Sequence, residues 1–171
     1  MAMPDTLQTD RLSLRLLGPA DLDTVHGLFS GPGHTIGGGP VQDRAQTARW
    51  LERRSMRYQE DGLPWYGLWT VRSTFAGTCG VFLGERCGDD PEIGYEVDVA
   101  HRGKGFALEA ADAVTQAAHS VGHARLWATI RPRNIASKRV VERIGYQLVR
   151  RQPDAKGDLD YYLSARGGPC R

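Results

Sequence analysis

A strand that runs through a glycine turn into an alanine-rich helix is the feature that most constrains the fold of this chain. Residues 91–107 read PEIGYEVDVAHRGKGFA, and apolar and polar side chains alternate along 92–99 as in a half-buried strand. The sequence then predicts an alanine-rich helix over 105–121. The first N–H groups of a helix have no intrahelical acceptor and lie at its positive end, which suits a phosphate or pyrophosphate.

The glycine turn alone does not identify what binds there. It lacks the Gly-Lys-Ser/Thr end of a Walker A loop, and the third glycine and downstream acid of the dinucleotide-binding fingerprint are missing. Such a turn is also an ordinary connection between a strand and a helix. The small residues Gly105 and Ala107 leave room for an anion to approach the backbone.

The remaining pattern predicts a mixed α+β domain. Strands are predicted at 12–16, 66–71, 78–83, 92–99, 125–130, 146–151 and 160–164, and helices at about 22–29, 45–58, 105–121 and 135–144. This order indicates one sheet with helices packed on it and no internal domain boundary. We therefore expect a single domain over 1–171 with a frayed tail from about 165.

The composition is that of an ordinary soluble enzyme. The net charge is only +2, with 40% hydrophobic and 25% charged residues, so no strongly charged partner is implied. No apolar run approaches transmembrane length and no signal-peptide pattern is visible, so we expect a cytoplasmic protein that binds neither membranes nor nucleic acid. The three cysteines have no metal-ligand spacing, and we expect no metal site.

Charge is distributed unevenly along the chain. Residues 85–98 hold six acids and one arginine, and residues 125–151 hold eight bases and one acid. Two solvated faces would explain this pattern. The alternative is an acidic mouth that attracts a cationic substrate, beside a basic flank that attracts a phosphorylated cofactor.

A loop and several aromatic residues are candidates for a pocket. Residues 31–40 (GPGHTIGGGP) favour a loop, either a plain connector or a mobile pocket wall. On the helix at 45–58 we expect Trp50 on the inner side and Arg54, with other charged residues, on the outer side. Four aromatic residues either line the pocket or pack in the core: Trp50, Trp65, Tyr66 and Trp127.

Separated motifs resemble one family. Residues 102–107 (RGKGFA) fit the Arg/Gln-x-x-Gly-x-Gly/Ala signature of the GNAT superfamily of acetyl-CoA-dependent N-acetyltransferases. Residues 9–12 (TDRL), 92–95 (EIGY) and 134–146 (NIASKRVVERIGY) are similar to its RimJ/RimL branch, which acetylates ribosomal protein N-termini and other amines. The resemblance implies the GNAT fold, a mostly antiparallel sheet of six to seven strands with about four helices. It further implies a V-shaped splay between the fourth and fifth strands, and a homodimer, since such proteins often pair.

The resemblance also indicates which residues would bind acetyl-CoA. The glycine turn would hold the pyrophosphate, the edge of the preceding strand would pair with the pantetheine, and the last helix would contact the pantetheine, adenosine or ribose phosphate. The residues of the turn are Arg102, Gly103, Lys104, Gly105, Phe106 and Ala107. Those of the strand edge are Val97, Asp98 and Val99, and those of the last helix are Asn134, Ser137, Lys138 and Arg139. Acetyl-CoA carries about four negative charges, which the basic flank would attract.

Acetyl transfer requires a neutral amine. An alkyl amine has a pKa of about 10, so it is protonated at neutral pH and must first lose a proton. By the resemblance, Glu92 is the first candidate for the base and Glu96, on the same face of the strand, is the second. Either carboxylate could instead be solvated, and Glu96 or Asp98 could simply attract a cationic acceptor. Ser137 is the candidate donor to the leaving thiol, or else a residue that only bonds the cofactor or backbone.

Two positions depart from family patterns. The base that some members carry on the next strand corresponds to Thr129, and the tyrosine acid of the last helix corresponds to Val141, so a tyrosine acid at that position is excluded. Proximity of the two reactants could supply much of the rate.

The sequence therefore predicts an N-acetyltransferase that moves an acetyl group directly, within a ternary complex, to a primary amine. The acceptor is either a protein N-terminus or a small cationic amine. A CoA-binding sensor or assembly module without catalysis is the alternative. A nucleotide-binding protein is disfavoured, because the sequence has no magnesium-binding constellation.

Overall fold

The computed structural model describes residues 1–31 and 43–167, which form one central sheet with helices on both faces. The eight strands are β1 (Thr6–Gln8), β2 (Leu12–Leu16), β3 (Trp65–Thr70), β4 (Phe75–Phe82), β5 (Glu92–Val97), β6 (Arg125–Ile130), β7 (Gln147–Asp154) and β8 (Gly157–Ala165). The four α-helices are α1 (Leu22–Ser30), α2 (Arg44–Asp61), α3 (Phe106–Ser120) and α4 (Ile135–Arg143). Short 3-10 helices occupy Pro19–Asp21 and Val99–His101.

The sheet has the order β1-β2-β3-β4-β5-β6-β8-β7. Every neighbouring pair is antiparallel except β5 and β6, which run parallel and share a single register pair, Glu92 with Trp127. Beyond that pair the two strands diverge and leave a V-shaped gap. The predicted mixed, mostly antiparallel fold is confirmed, including the splay between the strands predicted at 92–99 and 125–130.

The structure has one more strand than the six to seven expected. The additional strand is β1, which pairs with β2 through Thr6, Leu7 and Gln8. Three residues are too few for a period-2 pattern to stand out in the sequence. The predicted tail also begins too early, because Ala165 is still paired with Arg125 in the sheet.

Two hydrophobic layers cover the two faces of the sheet. α3 and α4 pack on one face over the main core, which includes Tyr66, Leu68 and Leu126. α1 and α2 pack on the opposite face over a second cluster that contains Trp50, with Trp65 packed against it. Tyr66 is therefore a core residue, and Trp127 belongs to a small third cluster with Leu159 and Tyr161.

Arg54 corrects the prediction for α2. It was expected on the outer side, but its guanidinium carbon lies 4.6 Å from the centre of the Trp65 ring and 5.4 Å from that of Trp50. The helical period explains this position, because residues 47, 50, 51 and 54 share one face of a helix. The charge of the side chain made that spacing easy to overlook.

Several predictions cannot be compared with the structure. The loop predicted at 31–40 lies outside the described residues except for Gly31, and so does the tail beyond residue 167. No helix among residues 1–31 and 43–167 is both long and apolar enough to cross a membrane. Within the same ranges there is no group of three or more His, Cys, Asp and Glu residues that could hold a metal ion.

Candidate active site

The gap between β5 and β6 is a cleft of about 790 Å³, which we call the β5–β6 cleft. The glycine turn and the start of α3 border one side, and α4 borders the other. Among the predicted site residues, those that line it are Glu96, Val97, Arg102, Gly103, Gly105, Phe106, Ala107, Asn134, Ser137 and Arg139. The fold thus brings together two sequence segments that lie some thirty residues apart.

The glycine turn presents free backbone donors to the β5–β6 cleft. Gly103 and Gly105 have φ angles of +74° and +82°, a left-handed conformation that glycine adopts at little cost. In the described part of the chain, the N–H groups of Gly105, Phe106 and Ala107 have no acceptor. The start of α3 therefore fits a pyrophosphate group.

A polar clamp fixes the turn from the N-terminal segment. The backbone N–H of Arg11 and the hydroxyl of Thr9 donate to Glu109 Oε1 at 2.8 and 2.5 Å, and Arg11 Nε donates to Oε2 at 2.7 Å. Arg11 Nη1 also donates to the carbonyl of Lys104 at 2.8 Å. Burial alone would raise the pKa of Glu109, but the bonds from Thr9 and Arg11 outweigh it and hold that pKa below its ordinary value. The sequence analysis did not identify Glu109, because its partners lie about 100 residues away.

The arginines of the basic flank that line the cleft differ in whether they already have an ion-pair partner. Arg131 lines the cleft but is paired with Asp154 at 2.7 Å. Arg139 and Arg143, one helical turn apart on α4, line the cleft, and neither has an ion-pair partner among the described residues. Arg143 was not among the predicted site residues, although its spacing from Arg139 places both on one helix face.

Lys138 does not line the β5–β6 cleft. Its Nζ lies 3.2 Å from Asp160 Oδ2, and only 20% of its side chain is exposed. Asp160 is fully buried and also accepts a hydrogen bond from Arg151 Nε at 2.5 Å. We therefore do not retain Lys138 among the residues that contact a cofactor, because its ammonium group compensates a buried carboxylate.

The backbone edge after β5 is partly occupied. Arg102 Nε donates to the carbonyl of Val97 at 3.0 Å, an atom that was expected to be open to the pantetheine. Asp98 accepts from the N–H of Ala100 at 3.0 Å as the cap of a 3-10 helix. Asp98 and Val99 line a separate pocket of about 270 Å³ rather than the main cleft.

Lys104 turns away from the cleft as well. Its Nζ donates to the carbonyl of Ala100 at 3.1 Å, which closes the turn on itself. Lys104 is absent from the cleft lining, whereas both of its glycine neighbours are present. Its predicted contribution is therefore restricted to its backbone.

Ser137 has a partner that the sequence analysis missed. Asn134 caps α4, where its Oδ1 accepts from the N–H of Ser137 at 3.2 Å. The hydroxyl of Tyr95 lies 2.8 Å from Ser137 Oγ and donates to the Ser137 carbonyl at 3.0 Å. Burial raises the pKa of Tyr95 far above its ordinary value, and the bond with Ser137 offsets only part of that rise. Tyr95 therefore stays protonated in the cleft, while the alternative tyrosine position, Val141, is buried in the core.

Glu92 is buried, with 1% of its surface exposed, so its interpretation as a solvated strand carboxylate is wrong. Thr129 Oγ1, from the diverging strand β6, donates to Glu92 Oε2 at 2.9 Å. Glu92 Oε1 has no hydrogen-bond partner among the described residues. Burial, and then the charge of Glu92 and a hydrogen bond from the thiol to the Glu92 carboxylate, raise the pKa of the nearby Cys87 thiol to about 12, so Cys87 stays protonated.

The predicted acidic mouth is not assembled. Asp90 is paired with Arg125 at 2.9 Å and also accepts from Trp127 Nε1 at 3.2 Å. Asp98 is engaged in capping and Glu92 is buried. Of the described acids in the segment, only Glu96 lines the β5–β6 cleft.

Comparison with known proteins identifies the family. Residues 11–147 match the acetyltransferase (GNAT) domain family. An uncharacterized protein YkkB of Bacillus subtilis is 33% identical over 150 residues, which cover 81% of this chain and 83% of that protein. An uncharacterized N-acetyltransferase p20 of Bacillus licheniformis is 29% identical over 93% of this chain and 94% of its own length. The chain belongs to the GNAT acetyltransferase family and is an acyltransferase.

Solved structures agree on the fold. The acetyltransferase from Agrobacterium tumefaciens has a TM-score of 0.82 at 27% identity, with 97% of this chain and 96% of that chain covered. RimL, a ribosomal L7/L12 α-N-protein acetyltransferase solved in complex with coenzyme A, has a TM-score of 0.77 at 18% identity, with 96% and 98% covered. At that lower identity the likeness shows the fold alone.

Proposed function

We propose that this chain is an acetyl-CoA-dependent N-acetyltransferase of the RimJ/RimL-like branch that acts on a primary amine within a ternary complex. The observation that carries this proposal is the splay of β5 from β6 beside a row of free N–H groups at the start of α3. Those two features provide a channel for an extended thiol-bearing arm and a site for its pyrophosphate.

The chain's own residues supply the binding contacts for acetyl-CoA, which provides the activated acetyl group. The N–H groups of Gly105, Phe106 and Ala107 hold the pyrophosphate, and the unpaired Arg139 and Arg143 attract the remaining phosphate charge. A side chain at Gly105 would point at the Arg11 guanidinium, since a Cβ there would lie 3.2 Å from Arg11 Nη2. The clamp on Glu109 keeps this turn in place.

Glu92 is the proposed base. Glu92 does not line the β5–β6 cleft, but it bonds Thr129, which does, through Oε2, and we assign to its buried Oε1 the proton of the acceptor amine. The amine nitrogen then forms a bond to the acetyl carbon as the bond from that carbon to sulfur breaks, and the electron pair leaves on sulfur. Glu96 remains the second candidate, because it lines the cleft on the same strand.

Ser137, oriented by Tyr95, is proposed to stabilise the leaving sulfur. Ser137 Oγ donates a hydrogen bond to the thiolate and keeps its proton, while the Tyr95 hydroxyl turns from the Ser137 carbonyl to Ser137 Oγ. The thiolate then takes a proton from solvent, and Glu92 returns the proton of the amine to solvent. Because Tyr95 keeps its own proton, it acts as a positioning residue for Ser137. This arrangement takes the place of the tyrosine acid of the last helix, whose position is occupied by Val141 in this chain.

Release of free thiol from acetyl-CoA in the presence of a panel of primary amines tests the function. We expect release that depends on one class of amine. Glu92→Gln should lower kcat by roughly 10²-fold or more and leave the calorimetric affinity for CoA unchanged. Glu85→Gln, an exposed carboxylate of the same acidic segment, is the matched control.

The alternative is a CoA-binding module without catalysis. It would be favoured if CoA binds by calorimetry while no amine stimulates thiol release. Equal activity of Glu92→Gln and the native chain would remove Glu92 from the mechanism. Absence of CoA binding would overturn the proposal as a whole.

A further inference from the structure

Three buried side-chain polar atoms in the described part of the chain have no hydrogen-bond partner: Arg54 Nε, Trp65 Nε1 and Glu92 Oε1. Buried polar groups are nearly always paired, so each such atom requires an explanation. Two of them are donors and one is an acceptor. Trp65 and Glu92 lie on one face of the sheet, and α2 places Arg54 over that same face.

The register of the sheet explains this convergence. Trp65 on β3 pairs with Gly80 on β4, and Gly80 pairs with Gly94 on β5. Because side chains alternate along a strand, Trp65 lies on the same face as Gly94 and as Glu92, two residues away. A Cβ at Gly94 would lie 2.8 Å from Trp65 Cη2, so the indole ring extends across the sheet toward β5.

Phe82 connects Trp65 to Glu92. Its ring centre is 5.8 Å from that of Trp65. A Cβ at Gly84 would lie 3.2 Å from Phe82 Cε2 and 2.4 Å from Glu92 Oε1, so the phenyl ring and the carboxylate border the same small space. The two glycines, Gly84 and Gly94, keep that space free of side chains.

Arg54 completes what we call the Arg54 cluster: Arg54, Trp65, Phe82 and Glu92. Its guanidinium carbon is 4.6 Å from the Trp65 ring centre and 5.3 Å from that of Phe82. No described carboxylate forms an ion pair with Arg54, and no described residue accepts a hydrogen bond from it. Burial, and then repulsion from Arg53 and Arg57, lower its pKa to about 10.

A purely structural role does not explain this arrangement. Aromatic rings attract a guanidinium through their faces, but they supply no acceptor for the buried Arg54 Nε. Arg54 is half-buried, and a buried donor without an acceptor costs free energy. The planar fork of an arginine matches a carboxylate, with two parallel hydrogen bonds.

We propose that the Arg54 cluster binds a carboxylate of the acceptor, so that the acceptor is a primary amine that also carries a carboxylate. This inference rests on the proposed function. Arg54 and the indole N–H of Trp65 donate to the carboxylate, and Glu92 accepts the proton of the amine. The Phe82 ring lies between these groups, so an acceptor with several bonds between amine and carboxylate fits better than glycine. This inference replaces the small cationic amine expected from the sequence, because the acidic mouth is not assembled.

A series of ω-amino acids tests the inference. Glycine, β-alanine, 4-aminobutyrate and 6-aminohexanoate are each compared with their own amide, which keeps the amine and removes the charge. Thiol release gives kcat/KM, and tryptophan fluorescence gives binding without turnover. The variants are Arg54→Gln and, as matched control, Arg57→Gln, an exposed arginine of the same helix that pairs with Asp61 at 3.2 Å.

The expected result is a kcat/KM at least about tenfold higher for the acids than for the amides, with an optimum beyond glycine. Arg54→Gln should abolish this preference mainly through KM, and Arg57→Gln should retain it. Arg54→Gln should also melt at or above the temperature of the native chain. Three outcomes would each overturn the inference. The amides could react as well as the acids, Arg54→Gln could lose the same factor of kcat/KM on acids and amides, or that variant could melt at a lower temperature than the native chain.

Failure of the proposed function can be distinguished from failure of this inference. If an amine without a carboxylate is acetylated best, the function stands and the carboxylate site is wrong. If no amine is acetylated, the proposed function is wrong, and tryptophan fluorescence then tests whether the Arg54 cluster binds a carboxylate. Binding of 6-aminohexanoate that Arg54→Gln loses would then support the site, and absence of binding to the native chain would overturn it.

Discussion

The β5–β6 cleft and the Arg54 cluster share strand β5, yet they are assembled from different parts of the chain. The cleft lies between β5 and β6 and is bordered by two short segments around 102–107 and 134–143, of which the first supplies backbone N–H donors. The Arg54 cluster combines side chains from α2, β3, β4 and β5, and its polar atoms lack partners. The cleft thus depends on backbone conformation, whereas the cluster depends on particular side chains.

This difference predicts how each site tolerates change. A cofactor site made of backbone groups is common to a family, because any sequence that keeps the turn keeps the donors. An acceptor site made of side chains can change with single substitutions. We therefore expect variants of the glycine turn to alter CoA affinity and variants of Arg54 to alter acceptor preference.

The largest effect on the cleft is expected from Gly105→Ala. The residue has a φ of +82°, and a Cβ there would lie 3.2 Å from Arg11 Nη2, beside the turn that carries the free N–H groups. CoA affinity measured by calorimetry should fall about tenfold or more. Gly122→Ala, at a φ of +110° with open space around its Cβ, carries the backbone strain without the contact and should keep the native affinity. Equal losses of affinity in both variants would show that strain alone is responsible.

A smaller effect is expected at the junction of the two sites, where Tyr95 bonds Ser137. Tyr95→Phe should lower kcat by about tenfold and leave KM for the amine unchanged, because Ser137 loses its orienting partner. The matched control is Tyr146→Phe, which also removes a tyrosine hydroxyl that bonds a side-chain hydroxyl. The Tyr146 hydroxyl lies 2.9 Å from Thr115 Oγ1. If both variants lose the same activity, the effect of Tyr95 is structural.

These residues also show how far a sequence can be interpreted. The glycine turn and the order of elements were predictable, because they follow from local conformation and from alternation within single strands. The splay was predicted only through the resemblance to the GNAT superfamily. Tyr95 entered the prediction only as part of the motif at 92–95, since its contact with Ser137 spans 42 residues. The pairing of Lys138, which is absent from the cleft lining, was hidden for a related reason: its buried partner Asp160 comes from β8.

Arg54 shows a different limit. Its position on the inner face of α2 follows from the helical period, but an arginine without a carboxylate partner contradicts the usual rule that charges face solvent. Positions where the helical period and the residue type disagree concentrate at functional sites. The helical spacing of Arg54 therefore predicted its position correctly, whereas its charge suggested the opposite face.

The smallest effect concerns the clamp that joins the N-terminal segment to the cleft. Glu109→Gln should lower the free energy of unfolding at neutral pH by about 1–2 kcal/mol, because the amide replaces a carboxylate that accepts from Thr9 and Arg11. The folded pKa of Glu109 lies below its ordinary value, so the carboxylate stabilises the fold above the unfolded pKa. That contribution is lost as pH falls through the folded pKa.

Urea unfolding at pH 7 and at about pH 3 measures this effect. The difference in unfolding free energy between the native chain and Glu109→Gln should shrink in acid, since protonation removes the charge from the native clamp as well. Glu52→Gln, an exposed carboxylate on α2, should match the native chain at both pH values. A difference that stays constant with pH would mean that packing, rather than charge, joins the N-terminal segment to the turn. In that case the cofactor cleft would depend on backbone conformation alone, and its contrast with the Arg54 cluster would be sharper still.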